Sequence, residues 1–198
     1  MYLVTNSKFA DDFRAFARDL EPQPFELTVV DDGTTSDETK LGAIGDLELV
    51  VRQEGIDDDL LVAAGDSIFD EPRLDELVGV GRDRDAPVIA VREVGDPEQL
   101  RSYSVLATDD EGRIVSFQEK PDEPRGTLAG IALYFYPRSS LPLIRRYIEE
   151  GNNPDQPGRL VEWLHTRVPF YTSRLGGRWY DIGSRETLAA ANREFAQS

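Results

Sequence analysis

What limits the folds open to this chain is the way its apolar patterns alternate along the first ninety residues. Tyr2–Thr5 has the make-up of a strand. Phe9, Phe13, Phe16, Ala17 and Leu20 then recur at i, i+4, i+7, i+8 and i+11, the spacing of one helix face. Glu21-Pro22-Gln23-Pro24 stops that helix, and Phe25–Val30 is β-rich. After the turn Asp31-Asp32-Gly33-Thr34, Leu41, Ile44, Leu47 and Val50/Val51 form a second helical stripe. Leu60–Ala64 is wholly apolar and ends in Gly65-Asp66, as a buried parallel strand would. A short helix around Leu74–Val78 and the strand-like Pro87–Val91 complete a βαβαβαβ order. That order is the signature of a mostly parallel sheet covered by helices.

The second half changes character. Ser104–Thr108 and Ile114–Gln118 flank the turn Asp109-Asp110-Glu111-Gly112 and predict a hairpin. Leu128–Tyr136 predicts another strand, Leu141–Glu150 and Leu160–Thr166 predict helices, and Pro169–Thr172 and Arg178–Tyr180 predict short strands around Gly176-Gly177. Ser184 caps a last helix, Glu186–Phe195. The expectation is an α/β fold: a three-layer α/β/α sandwich with a mostly parallel mixed sheet, in one domain spanning 1–198. No repeat or low-complexity linker divides it. A chain of 198 residues with 39% apolar residues can bury roughly 70% of its unfolded surface, which argues against disorder.

Composition removes several chemistries. With no Cys, disulfides, thiolate nucleophiles and Cys-ligated zinc are excluded, and His165 alone makes no multi-His centre. The net charge of −16 repels phosphate backbones, so nucleic acid is not an expected partner. No apolar run reaches the ~18 residues of a membrane span and no signal segment follows Met1, so the expectation is a cytoplasmic protein without a membrane partner. Carboxylates, Lys, Arg and backbone groups are left to do any catalysis. Lysine occurs only at 8, 40 and 120, arginine supplying the rest of the 22 basic residues. Salt adaptation and a GC-rich genome would both give that bias.

Ligands of open α/β sheets bind beyond the carboxyl ends of strands. Asp66, after Leu60–Ala64, and Asp181, after Arg178–Tyr180, stand in such places, with Gly65 and Gly183 allowing close backbone approach. Magnesium is commonly held by one or two carboxylates, with phosphate oxygens and water completing its shell. Taken singly, each Asp also suits a turn or cap. Glu119-Lys120-Pro121 places a carboxylate and an ammonium at a strand tip, which suits hydroxyls and a phosphate, or a solvated strand end. Asp32-Gly33-Thr34 and the small residues Gly42 and Gly45 allow a base or sugar to lie against backbone, or helix and sheet to pack tightly.

In order, Val4-Thr5-Asn6, Asp32-Gly33-Thr34, Leu41-Gly42-Ala43-Ile44-Gly45-Asp46, Ala64-Gly65-Asp66, Phe117-Gln118-Glu119-Lys120-Pro121 and Trp179-Tyr180-Asp181-Ile182-Gly183 resemble the sugar-phosphate nucleotidyltransferases. These are the nucleoside-diphosphate-sugar pyrophosphorylases, with a Rossmann-like fold, and the resemblance covers essentially the whole chain. It implies transfer of a nucleoside monophosphate from a nucleoside triphosphate to a sugar 1-phosphate. Asp66 and Asp181 would hold Mg2+ and act in catalysis with Lys120. Glu119 would hold sugar hydroxyls and Lys120 the sugar's phosphate. Asp32 and Gly33 would flank the substrate, Gly42 would lie near the base or ribose, and Gly130 would line the sugar pocket with backbone.

Two departures from the family pattern follow. Tyr103-Ser104 stands where the family has Tyr-Gly, so the sugar's seat keeps an amide and gains bulk. The family's opening glycine-rich loop, which grips the triphosphate, has no counterpart here, and Met1–Thr5 aligns with the family's second strand. The expectation is a fold without its first βα unit, low turnover by these residues alone, and a tendency to homo-oligomerise through the exposed strand neighbour. Two other readings come from different classes. One is a non-catalytic nucleotide- or sugar-binding module. The other is a metal-dependent glycosyltransferase using Asp57-Asp58-Asp59, although this triplet precedes its strand.

Overall fold

The computed structural model describes residues 1–20 and 23–195. Its elements run β1 (Tyr2–Thr5), α1 (Ala10–Asp19), β2 (Thr28–Asp31), α2 (Ala43–Gln53), β3 (Leu60–Ala63), β4 (Ser67–Asp70), α3 (Leu74–Arg84), β5 (Val88–Glu93) and α4 (Pro97–Leu100). They continue β6 (Ser104–Thr108), β7 (Ile114–Glu119), β8 (Leu128–Tyr136), α5 (Leu141–Glu149), α6 (Pro157–Leu164), β9 (Tyr171–Arg174), β10 (Arg178–Asp181) and α7 (Arg185–Phe195). Glu21 and Pro22, half of the expected helix stop, lie outside the described residues. The chain divides into two compact units, Met1–Asp57 with Leu141–Leu160, and Asp58–Ser140 with Val161–Ser198.

In the first unit β1 and β2 pair in parallel, Tyr2 facing Thr28 and Thr5 facing Asp31, joined by α1 as a right-sized crossover. Ile44 and Val50 of α2 and Ile144 and Tyr147 of α5 are buried. The start of α2 is closed by its own unit: Ala43 and Ile44 donate their amides to the carbonyls of Asp155 and Pro154 at 3.2 and 2.9 Å. Those are two of the orphan donors that every helix N-terminus leaves. The α1 helix forms where its periodicity predicts, but the stripe is not covered: Phe9, Phe13 and Phe16 are 43%, 37% and 53% exposed, and only Ala10 is buried.

The second unit is built on β8. One edge of β8 pairs with β5; along the other, its C-terminal half pairs with β3 and its N-terminal half with β6, and β7 and β9 extend the sheet. Strand β8 is buried along most of its length, so it reads as a continuous apolar run, and Leu77, Val88, Ile131, Leu133 and Phe135 form the core with it. Helix α3 lies tight against that core because residue 81 is glycine; a Cβ there would stand 2.1 Å from Phe135 Cδ1.

The α/β class and the mixed sheet are as expected. Strand direction departs from expectation at β3. It pairs antiparallel with β8 and alternates half-buried with exposed residues, whereas its unbroken apolar run predicts a buried parallel strand. Apolarity reports burial potential and carries no information on direction. Among the described strand pairs, β1–β2 and β5–β9 are parallel and the others antiparallel.

Candidate active site

A two-stranded antiparallel ribbon places the two aspartates. Strands β4 and β10 pair with Ser67 facing Asp181 and Asp70 facing Arg178. Asp66 immediately precedes β4 and Asp181 ends β10, so the pairing sets them at one end of the ribbon; the Ile182 amide donates to the Asp66 carbonyl at 2.8 Å. The register is enforced three ways. Arg178 Nε meets Asp70 at 2.8 Å, Trp179 Nε1 donates to Ser67 Oγ at 3.4 Å, and the turn into β10 passes through Gly177. Gly177 has φ +61, and a Cβ on it would lie 1.7 Å from the Asp70 carbonyl oxygen, so no side chain fits.

The carboxylates sense each other. Burial, then the neighbouring Asp66 charge, push the Asp181 pKa up, and the Lys120 ammonium pulls it back. Two carboxylates and one ammonium thus share a field in the second unit. Among the described residues neither aspartate carboxylate has a side-chain hydrogen bond, and Lys120 makes no ion pair. The other lysines are engaged: Lys40 meets Asp155 at 2.8 Å and Lys8 lies over the Phe9 ring. Lys120 follows β7 with φ +44, a conformation that costs a non-glycine residue roughly 1 kcal/mol or more and that concentrates at functional sites.

Glu119, the last residue of β7, is buried and accepts a hydrogen bond from the equally buried Ser104. Ser104 faces Glu119 on one side and Gly130 on the other across the β7-β6-β8 register. Tyr103, half-buried, packs edge-on to Trp179 with ring centroids 5.2 Å apart, and burial and the Asp181 charge raise its pKa. A cavity of ≈ 490 Å³ opens beside this group, lined by Glu93, Asp96, Tyr103, Trp179, Asp181 and Thr187 among others. That is the size of a small-molecule site. Of the sequence-predicted residues, Tyr103 and Asp181 line it.

The remaining predicted residues, Asp32, Gly33 and Gly42, belong to the first unit. Asp32 accepts from Thr34 N at 2.7 Å and Thr34 Oγ1 at 3.0 Å, and Gly33, with φ +78, donates to Asp31, the geometry of an Asx turn. Gly42 has φ +80, and a Cβ on it would meet the Pro154 carbonyl oxygen at 2.6 Å, so the unit's own loop fills its side-chain space. Asp59 is occupied by Arg82 at 2.9 Å and the Arg138 amide at 3.1 Å, which makes Asp57-Asp58-Asp59 a structural loop. His165 packs its ring 6.3 Å from Phe117, and burial lowers its pKa.

Sequence reasoning passed over Ser67, Asp70 and Arg178, which hold the ribbon together. Ser67–Asp70 is four residues with no alternation, so nothing marks it as a strand until β10 pairs with it.

Among the described residues no three Asp, Glu or His side chains gather to cage a metal. An Asp66/Asp181 pair fits a hard divalent cation that keeps water and phosphate ligands, because two like charges without hydrogen-bond donors are relieved by one cation.

The chain belongs to the nucleotidyl transferase family, whose model matches residues 10–198. It is 29% identical over 191 residues to a UTP–glucose-1-phosphate uridylyltransferase of Synechocystis sp., covering 91% of this chain and 47% of that protein. It is 28% identical over 141 residues to a glucose-1-phosphate adenylyltransferase of Clostridium acetobutylicum, covering 68% of this chain and 36% of that one. The chain thus spans about half of the first relative and about a third of the second. A UDP-glucose pyrophosphorylase crystallised with UDP-glucose shares the fold, with TM-score 0.77 at 18% identity over 100% of this chain and 81% of that one.

Proposed function

We propose that this chain carries the acceptor and metal side of a sugar-phosphate nucleotidyltransferase. The reaction joins a sugar 1-phosphate to the nucleoside monophosphate of a nucleoside triphosphate, giving a nucleoside-diphosphate sugar and pyrophosphate. The observation that carries this reading is that Asp66 and Asp181 stand together at one end of the β4–β10 ribbon, with the Lys120 charge reaching Asp181.

Asp66 and Asp181 would hold Mg2+, which supplies neutralisation of phosphate charge when bound. Lys120, whose charge reaches Asp181, would meet the acceptor's phosphate. Glu119 would accept from sugar hydroxyls, and Tyr103, the Ser104 amide and Gly130 would seat the sugar. Asp32, Gly33 and Gly42 of the first unit are proposed for the nucleotide. An oxygen of the sugar phosphate attacks the α-phosphorus in line, the bond from that phosphorus to the β-phosphate oxygen breaks, and pyrophosphate leaves with its electron pair. The nucleophile is already anionic, so no general base is needed and positioning with charge neutralisation supplies the rate. A chain with no Cys and one His suits that chemistry.

Calorimetric titration of nucleoside triphosphates and sugar 1-phosphates, with magnesium and then with chelator, tests the reading. Magnesium-dependent binding that Asp66→Asn abolishes supports it. Binding indifferent to magnesium and to Asp66→Asn points instead to a non-catalytic binding module. Turnover by these 198 residues alone is expected to be low, because they contain no glycine-rich triphosphate loop.

A further inference from the structure

The exposed apolar surface of this chain is unevenly placed. Of the ten large apolar side chains exposed among the described residues, six fall within residues 1–25: Met1, Tyr2, Phe9, Phe13, Phe16 and Phe25. Phe9, Phe13 and Phe16 follow one face of α1 from its N-cap, and that helix packs on β2. Met1, Tyr2 and Phe25 gather at the start of the β1–β2 pair. There the Met1 amino group donates to the Glu26 carbonyl at 2.7 Å and the Thr28 amide to the Met1 carbonyl at 2.9 Å. The strands beneath are short of neighbours too. Among the described residues β1 and β2 pair only with each other, whereas parallel sheets are ordinarily covered and two strands alone are marginal.

At ~200 Å² for each large side chain, the exposed fractions of these six amount to about 550 Å². Two copies that cover each other here would bury about 1,100 Å², above the ~1,000 Å² that a specific interface needs. Charge favours the same face. The chain carries a net −16, but Lys8, Arg14 and Arg18 balance Asp11, Asp12 and Asp19, so residues 1–20 hold none of the excess. Two identical acidic chains can therefore meet there without local like-charge repulsion. A membrane surface fits less well, because interfacial helices are rich in Lys and Arg and anionic lipid repels a chain of this charge.

We propose that this face binds a second copy of the chain, in a two-fold dimer that packs the α1 stripe and the start of β1 on their own counterparts. The surface uses none of the residues assigned to the reaction, so the inference stands apart from that reading.

Sedimentation equilibrium and light scattering test it, on the wild-type chain and on Phe13→Asp, Phe16→Asp and Val115→Asp. Val115, on β7, is another exposed apolar side chain and serves as the control. Circular dichroism and a melting curve show that each variant is folded. The wild type should dimerise with a Kd on the order of micromolar, as an interface of this modest size allows. Phe13→Asp and Phe16→Asp should each weaken the dimer about 100-fold, and Val115→Asp should leave it within about twofold. Added salt should tighten the wild-type dimer, because it screens the repulsion between the remaining charges. A folded wild type that stays monomeric at every concentration would overturn the inference, whether or not it binds phosphatidylserine vesicles. So would a dimer that survives both phenylalanine variants, one that Val115→Asp weakens equally, or one that salt dissociates.

Discussion

Each compact unit holds a pair of aspartates that sense each other's charge, and the two pairs are finished differently. In the first unit Asp46 hydrogen-bonds Asp32, and both Asp32 oxygens also accept from Thr34. The Asp46 Oδ1 is buried without a partner among the described residues, and burial with the Asp32 charge raises its pKa to about 6. That pair is closed off by the unit's own donors. In the second unit Asp66 is exposed, Asp181 lines a cavity, and neither carboxylate has a side-chain donor. That pair has no donor to relieve its repulsion. On the reading proposed above, access and unfilled coordination are what separate a candidate cation pair from a structural one.

Four outcomes would break or sharpen the contrast. The largest belongs to Asp181→Asn, expected to weaken magnesium binding about 10–100-fold by removing one of two charged ligands, while Asp46→Asn leaves it within about twofold. Titration with magnesium followed by calorimetry reads both, and equal losses would erase the distinction. Next is Gly177→Ala. The clash with the Asp70 carbonyl and the positive φ should cost about 2–3 kcal/mol, lowering the melting temperature by roughly 5–10 °C, and magnesium should no longer raise it. A melting curve like the wild type's would mean that the ribbon does not depend on that glycine.

Smaller is the effect of Asp46→Asn on stability. A carboxyl with a folded pKa of about 6 and an ordinary unfolded value of 3.8 favours the folded state fully below the lower value and loses that contribution as pH rises through the upper one. The variant should therefore melt about 2–4 °C above wild type at pH 7.5 and together with it at pH 4, as scanning calorimetry would show. Smallest is Asp70→Asn. Its pair with Arg178 is partly exposed and should be worth about 1 kcal/mol or less, leaving magnesium binding intact.

The elements that define the architecture were legible. Leu128–Tyr136 reads as a strand because its nine residues are almost wholly apolar and aromatic, and the Asp109–Gly112 turn, with Gly112 at φ +78, fixes the β6–β7 hairpin. Ser184 caps α7 as expected, its Oγ accepting from the Thr187 amide at 3.2 Å. The ribbon that assembles the site was not legible. Four-residue strands take their identity from a partner, and the partner of Ser67–Asp70 lies far along the chain. Nor does a sequence announce that Lys120 adopts φ +44 or that Ser104 reaches Glu119, since both depend on how β6, β7 and β8 come into register. The Phe9, Phe13 and Phe16 stripe makes the converse point: periodicity gives the helix and says nothing of what covers it.

The β4–β10 ribbon also sets a timetable. Trp179 and Ser67 are 112 residues apart, and so a ribosome adding about 5–20 residues per second exposes Asp66 on the order of ten seconds before its companion. Through that interval the nascent chain holds half of the proposed cation site. The loop that must close is long, although closure entropy grows only slowly with length, so the delay is one of synthesis more than of search. A chain stopped before Gly177 would lose both Asp181 and Trp179, which packs on the β8 core, so the proposed pair is completed only by the carboxy-terminal quarter.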